Sequence, residues 1–140
     1  MRATLDGATV KAGDALPAHE KTYTTVDLVA YGAATWDWHR LHYDLEYARS
    51  RQLPNVIIDG QMFGAVFARQ AIDWAGPRSF VAGMNIRMRA MAFAGDTLRC
   101  EGQVSEVRAE AGYHVVMLAQ RLVSGDRLCA ESATTLHLPR

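Results

Sequence analysis

The sequence predicts an α+β domain in which an antiparallel sheet wraps one long, buried helix. Three observations carry this reading. The stretch "GQMFGAVFARQAIDWAGP" (60–77) is the longest helix candidate, closed by Gly76 and Pro77, and every residue from Met62 to Ala68 is apolar or Gly. A helix that is apolar all round in its first two turns is expected to be covered on most sides. After Pro77 the texture changes to alternation, with the turn signals "AGD", "EAG" and "SGD" separating four runs, as antiparallel hairpins require. Helices first and strands afterwards is the α+β order. At 140 residues the chain is read as one domain, 1–140.

The elements follow in order. Residues 1–21 read as a lead-in with Gly and Pro punctuation. "TYTTVDLVAYGAATWDWH" carries a helix start, with Thr24 or Thr25 as N-cap, Asp27 in the first turn, and Leu28, Tyr31 and Thr35 along one stripe. "HYDLEYARSRQ" offers a second short helix capped by Asp44, closed before Pro54. "NVIID" then approaches the long helix in extended form, with Asp59 as that helix's cap. Gly64, Ala65 and Ala68 leave room for close approach to the helix backbone.

The strands begin with "SFVAGMNIRMRA", which sets Met84, Ile86 and Met88 against Asn85, Arg87 and Arg89. "DTLRCEGQVSEVRAE" alternates through Leu98, Cys100, Gly102 and Val104. "YHVVMLAQRLV" is apolar on both faces, as a central strand is, and "RLCAESATTLHL" completes the set. One sheet over one helix leaves edges and an apolar face exposed. Pairing of two copies is the natural remedy, so a homodimer or higher oligomer is expected.

Composition narrows the function. Fifteen basic and fifteen acidic residues give a formal net charge of +0, without runs of like charge, which argues against nucleic acid as a partner. No apolar stretch approaches a membrane span, and "MRATLDGATVKAGD" lacks the apolar segment of a secretory signal. Cys100 and Cys129 are expected to be reduced and buried, and the chain reads as cytoplasmic.

The densest chemistry lies in "WDWHRLHYD" (36–44), which sets two carboxylates, two imidazoles and a guanidinium among Trp36, Trp38, Leu41 and Tyr43. Asp37 and His42, at a helix C-terminus between aromatics, suit general acid–base work, although such a pair near a helix end is more often a capping or hydrogen-bonding one. His39 reads as a rim or structural residue. The spacing of Asp37, His39 and His42 matches no zinc pattern, so no metal is expected. A second constellation is "IIDGQMF". If Gly60 opens the long helix, its free N–H points off the positive end of the helix dipole and can stabilise an oxyanion.

"TWDWHRLHYDLEYA" resembles the hydratase motif of the MaoC-like (R)-specific enoyl-CoA hydratases and dehydratases, typically GD-x-NP-[IV]-H-x-D-x-x-A. The Asp falls on Asp37 and the His on His42, with Asp44 and Ala48 trailing. Trp36 replaces the usual Gly, His39 and Arg40 replace Asn-Pro, and the family's HGM is here "DGQM", with Asp59 where His is common and Gly60 retained. A Ser of some members falls on Ala68. "DWAGPRSFVAGMNIRMRA" also resembles the small subunits of heteromeric enoyl-CoA hydratases of steroid side-chain breakdown. The resemblance, over about residues 12–138, implies a hotdog fold and water addition across a trans-2-enoyl thioester, or the reverse.

On that reading Asp37 and His42 are the acid–base pair and Gly60 the oxyanion donor. Trp36, Trp38, Asp59, Gln61 and Met62 line the substrate site, and Arg87 and Arg89 are placed for CoA phosphates. The substrate arrives as a CoA thioester, and no other cofactor is expected. A hotdog thioesterase, or a subunit of a heteromeric hydratase that needs a second hotdog chain, is the alternative.

Overall fold

The computed structural model describes residues 3–140, so Met1 and Arg2 of the lead-in lie outside it. Helix α1 (Thr25–Thr35) starts where the sequence places a cap. Thr24 accepts from the Asp27 N–H while the Asp27 carboxylate accepts from the Thr24 N–H, a reciprocal capping box. A 3₁₀ turn at Arg40–His42 and a short helix α2 (Leu45–Ser50), capped by Asp44, follow. The long helix α3 (Gly60–Ala75) is capped by Asp59. Strands β2 (Phe80–Met88), β3 (Thr97–Glu110), β4 (Tyr113–Ser124) and β5 (Arg127–Pro139) come after it. One further strand precedes the helices.

That strand, β1 (Ala15–Thr22), corrects the reading of residues 1–21 as a lead-in. Its pattern is hidden because Pro17 and Ala18 together face Glu101 between the Leu16–Gly102 and His19–Cys100 pairs, which is a β-bulge. Proline without its N–H is tolerated there because β1 is an edge strand. The sheet is antiparallel in the order β1-β3-β4-β5-β2, so the doubly apolar run β4 is the central strand, as its composition implies.

Alternation sorts the sheet into two faces. Leu98, Cys100 and Val104 of β3 join Val116, Leu118 and Leu122 of β4 and Leu136 and Leu138 of β5 under α3. Phe63, Val66 and Phe67 meet that face from the helix, each burial contributing about 1.5–3 kcal/mol. Gly64 is where β2 comes closest: a Cβ there would lie 3.0 Å from Ile86 Cδ1. The first two helical turns are covered except at Gln61 and Ala65, which are exposed.

The core is divided in two by polar side chains. One apolar cluster surrounds Phe63, Phe67, Leu98 and Leu122, and the other Ala71, Val104, Val116 and Leu136. Between them lies a buried network. Gln120 Nε2 donates to the Phe67 carbonyl at 3.0 Å and to Gln70 Oε1 at 2.9 Å, and the Thr134 hydroxyl donates to Gln120 Oε1 at 2.6 Å. Gln70 Nε2 donates to the Pro17 and Cys100 carbonyls. Gln70 is a polar residue on the helix, yet it is only 3% exposed, because this network supplies partners for its amide. Both cysteines are free and buried, and burial pushes the Cys100 thiol up to about 12, so it is a packing group and not a nucleophile. Among the described residues no helix is long and apolar enough to cross a membrane.

Candidate active site

Asp37 is placed by the way α1 ends. Trp36 adopts the left-handed conformation (φ 59°), and both its N–H and that of Asp37 return to the Gly32 carbonyl. Glycine is required at position 32, because a Cβ would stand 2.8 Å from the Asp37 carbonyl oxygen. The turn therefore sets Asp37 within van der Waals reach of the last helical turns. Asp37 Oδ1 accepts from the His39 N–H at 3.1 Å, which fixes the carboxylate's rotation.

His42 is held by the extended segment before α3. Val56, Ile57 and Ile58 run between two chains: Ile57 N–H donates to the Leu41 carbonyl, while Ile58 N–H and Ala94 N–H bond with Ala92 and Val56 carbonyls. The Ile57 carbonyl then takes His42 Nδ1 at 2.9 Å. A carbonyl can only accept, so Nδ1 carries a proton, and in the neutral ring Nε2 presents the lone pair. His42 is a base with its tautomer fixed by backbone.

Asp59 comes from the cap of α3. Its Oδ1 accepts from the Gln61 N–H at 2.8 Å, and Met62 N–H turns back to the Asp59 carbonyl. Asp59 is 9% exposed, and its Oδ2 has no hydrogen-bond partner among the described residues. One polar atom from each of Asp37, His42 and Asp59 lies within 4.8 Å of the others. Three side chains distant in sequence thus meet at one spot beside the amino end of α3. Gly60, the first helical residue, lacks an intrahelical acceptor for its N–H by position, and a Cβ there would crowd Met88 Cε at 3.2 Å.

The remaining candidates divide. Met62 is buried, while Gln61 is exposed with its N–H spent on Asp59. Trp38 stands half-exposed against Trp36 and Tyr43, edge to face, and Trp36 is 80% exposed, a rim position in the single chain. His39 is a local cap, its Nδ1 accepting the Leu41 N–H. Arg87 and Arg89 share a face as their spacing predicts, but it is the face turned away from α3. There Arg89 pairs with Glu131 at 2.8 Å, and Arg87 lines an open groove of about 700 Å³ with Glu101, Arg121 and Glu131. The chain alone does not bring these arginines to the Asp37–His42 pair, since residues 86 and 88 occupy the inward positions of β2.

Two contributors escaped the sequence. The Ile57 carbonyl has no side-chain signal at all. Tyr31 faces the cluster from α1; burial, and secondarily the Asp59 carboxylate, push its hydroxyl up. Its place on the inward stripe of α1 was the available hint.

A family model described as the MaoC like domain matches residues 9–125, most of the chain. The chain belongs to the MaoC-like dehydratase family. A mitochondrial 3-hydroxyacyl-[acyl-carrier-protein] dehydratase of Arabidopsis thaliana is 24% identical over 112 residues, 80% of this MaoC-like chain, which spans 66% of that relative's length. The 3-oxo-4,17-pregnadiene-20-carboxyl-CoA hydratase beta subunit of Mycobacterium tuberculosis is 25% identical over 103 residues, covering 74% of this chain and 78% of that one. In fold, the unliganded R-hydratase PhaJ1 of Pseudomonas aeruginosa superimposes with a TM-score of 0.89 at 21% identity, over 98% of this chain and 87% of that one. The five-stranded sheet around one helix is accordingly the hotdog fold of the MaoC-like hydratases.

Proposed function

We propose that the chain adds water to a trans-2-enoyl-CoA thioester, or removes it from the 3-hydroxyacyl thioester, with Asp37 and His42 as the acid–base pair. The observation that carries this is the convergence of the side chains: a ring nitrogen of His42, whose Nδ1 is held by the Ile57 carbonyl, and a carboxylate oxygen each of Asp37 and Asp59 lie within 4.8 Å of one another. The names of the relatives, a dehydratase and a hydratase, point to the same reaction class.

Water held by Asp37 and His42 attacks the β carbon, and its proton passes to His42 Nε2. The electron pair of the double bond moves to the thioester carbonyl, giving an enolate oxygen that takes the Gly60 N–H. One such donor is typically worth about 3–4 kcal/mol. As the enolate collapses, the proton on Nε2 goes to the α carbon, so hydrogen and hydroxyl arrive on one face of the alkene. The exposed rings of Trp36 and Trp38 border the approach to the pair.

The site also calls for a neighbouring subunit. Strand β2 is an unpaired edge within the chain, and Phe80, Met88 and Met91 are 65%, 52% and 55% exposed along it. A second hotdog chain, identical or not, would cover this edge, and the mycobacterial relative, itself a beta subunit, favours the heteromeric case. The site of action on this reading is the cytoplasm.

Crotonyl-CoA incubated with the purified chain tests the proposal. Loss of enoyl-thioester absorbance without release of free thiol supports hydration; loss matched by an equal release of free thiol makes the chain a thioesterase. Activity that requires a co-expressed second hotdog chain assigns it as one half of a heteromer.

A further inference from the structure

We propose that the Asp37–His42–Asp59 cluster takes up one divalent transition cation of the zinc class, and that the bound ion displaces the catalytic water. The hydration effect rests on the function proposed above; the binding does not.

The argument begins with a hydrogen-bond count. In each of the three side chains one polar atom is already committed to backbone: His42 Nδ1 to the Ile57 carbonyl at 2.9 Å, Asp37 Oδ1 to the His39 N–H at 3.1 Å, and Asp59 Oδ1 to the Gln61 N–H at 2.8 Å. Each side chain keeps one further atom without a partner among the described residues, His42 Nε2 (an acceptor in the neutral ring), Asp37 Oδ2 and Asp59 Oδ2, and a ligand atom from each residue lies within 4.8 Å of the others. Among the described residues neither Asp37 nor Asp59 forms an ion pair; the nearby Arg40 is spent on Asp44 at 2.7 Å. A single water brings two hydrogens to three acceptors. A divalent cation serves all three and offsets two carboxylate charges.

The independent observation is the orphaned oxygen. Asp59 is 9% exposed, and its Oδ2 is buried with no partner among the described residues, an arrangement that is unfavourable unless something fills it. The cluster also has the outer support that metal sites use, because an imidazole whose other nitrogen donates to a backbone carbonyl is fixed in tautomer and ring orientation for ligation. Coordination at ~2.0–2.2 Å sets tetrahedral neighbours about 3.4 Å apart, so donor atoms now within 4.8 Å of one another need only small side-chain rotations to close. One imidazole with two carboxylates selects zinc, manganese or ferrous iron over magnesium or calcium, which favour all-oxygen sets. His39, which the sequence places nearest to such a set, is excluded by its bond to the Leu41 N–H; Asp59 takes its place.

Ligation occupies Nε2, the atom that must accept the proton from water. Bound metal therefore suppresses hydration.

The test is calorimetric titration of zinc chloride into chelator-stripped chain, beside Asp59→Asn and Asp37→Asn. Asparagine keeps the N-cap of α3 through its side-chain oxygen, so folding is checked by thermal melting and the second variant covers failure of the first. We expect one zinc per chain, weakened roughly tenfold or more in each variant, on the scale of lost metal-site partners. Magnesium should give no matching isotherm. Zinc should abolish crotonyl-CoA hydration, and EDTA should restore it. Absence of a stoichiometric site, or zinc affinity equal in wild type and both variants, overturns the proposal; zinc binding without loss of hydration overturns the displacement. A metal-free chain that hydrates no enoyl thioester defeats the hydratase reading and the displacement with it, while the binding isotherms still decide the metal site.

Discussion

Gly32→Ala perturbs the site without touching a reacting group. The new Cβ would stand 2.8 Å from the Asp37 carbonyl oxygen, where ordinary contact begins at 3.4 Å, a shortfall of about 0.6 Å against backbone that cannot swing aside as a side-chain tip would. The strain falls on the αL turn that aims Asp37. A misplacement of about 1 Å costs on the order of a hundredfold in rate, so kcat/KM for enoyl-CoA hydration should drop by about tenfold or more. Stability should change much less, because alanine is better than glycine inside a helix by about 1 kcal/mol and this opposes the clash. Steady-state hydration assays and thermal unfolding give both quantities, with Gly83→Ala as the control, since a Cβ there meets nothing within 4 Å. Wild-type kcat/KM in Gly32→Ala would refute the claim that this turn positions Asp37.

Other consequences are open to measurement. Trp36→Gly relieves a left-handed residue that costs about 1–2 kcal/mol, while its ring is 80% exposed; the melting temperature should rise by about 2–4 °C, and a fall would contradict the account. Gln120→Leu removes the amide that bonds the Phe67 carbonyl, Gln70 Oε1 and the Thr134 hydroxyl in the core, while Cys100 and Ser132 still partner the last two, so urea denaturation should show a loss of about 1–3 kcal/mol, and no measurable change would mean the network is not structural. Lys21, followed by the Thr24 N–H and hydroxyl, lowers Asp27 from 3.8 to about 2. A depressed carboxyl contributes stability that is present above its unfolded value and lost as pH falls from about 3.8 through about 2. Lys21→Met should move the Asp27 midpoint, followed by NMR, back toward the ordinary carboxyl range.

What the sequence showed depended on whether the information was local. The caps at Thr24 (expected there or at Thr25), Asp44 and Asp59, the stop at Gly76, the alternation of β2 and β3 and the central place of β4 are set by neighbouring residues or by local pattern, and are found where expected. Strand β1 was missed because its Pro17–Ala18 bulge breaks the alternation, and Gln70 because its partners lie on distant strands. The convergence of Asp37 with His42 needs the αL turn at Trp36 and the Ile57 carbonyl, one a strained aromatic where glycine is usual and the other a backbone atom with no signature. Asp59 could be read as a cap; that a carboxylate oxygen of it lies within 4.8 Å of the pair is a property of the assembled fold. Arg87 and Arg89 show the opposite limit, since alternation gives their shared face but not which side of the sheet carries the chemistry.

The most direct measurement is metal-free hydration of crotonyl-CoA by Asp37→Asn, His42→Gln and the double variant, each verified as folded. Two groups acting on one water should each lower kcat by about 10²–10⁴, and the double variant should be little worse than the more damaged single one. Either single variant turning over within about threefold of wild type would contradict the account.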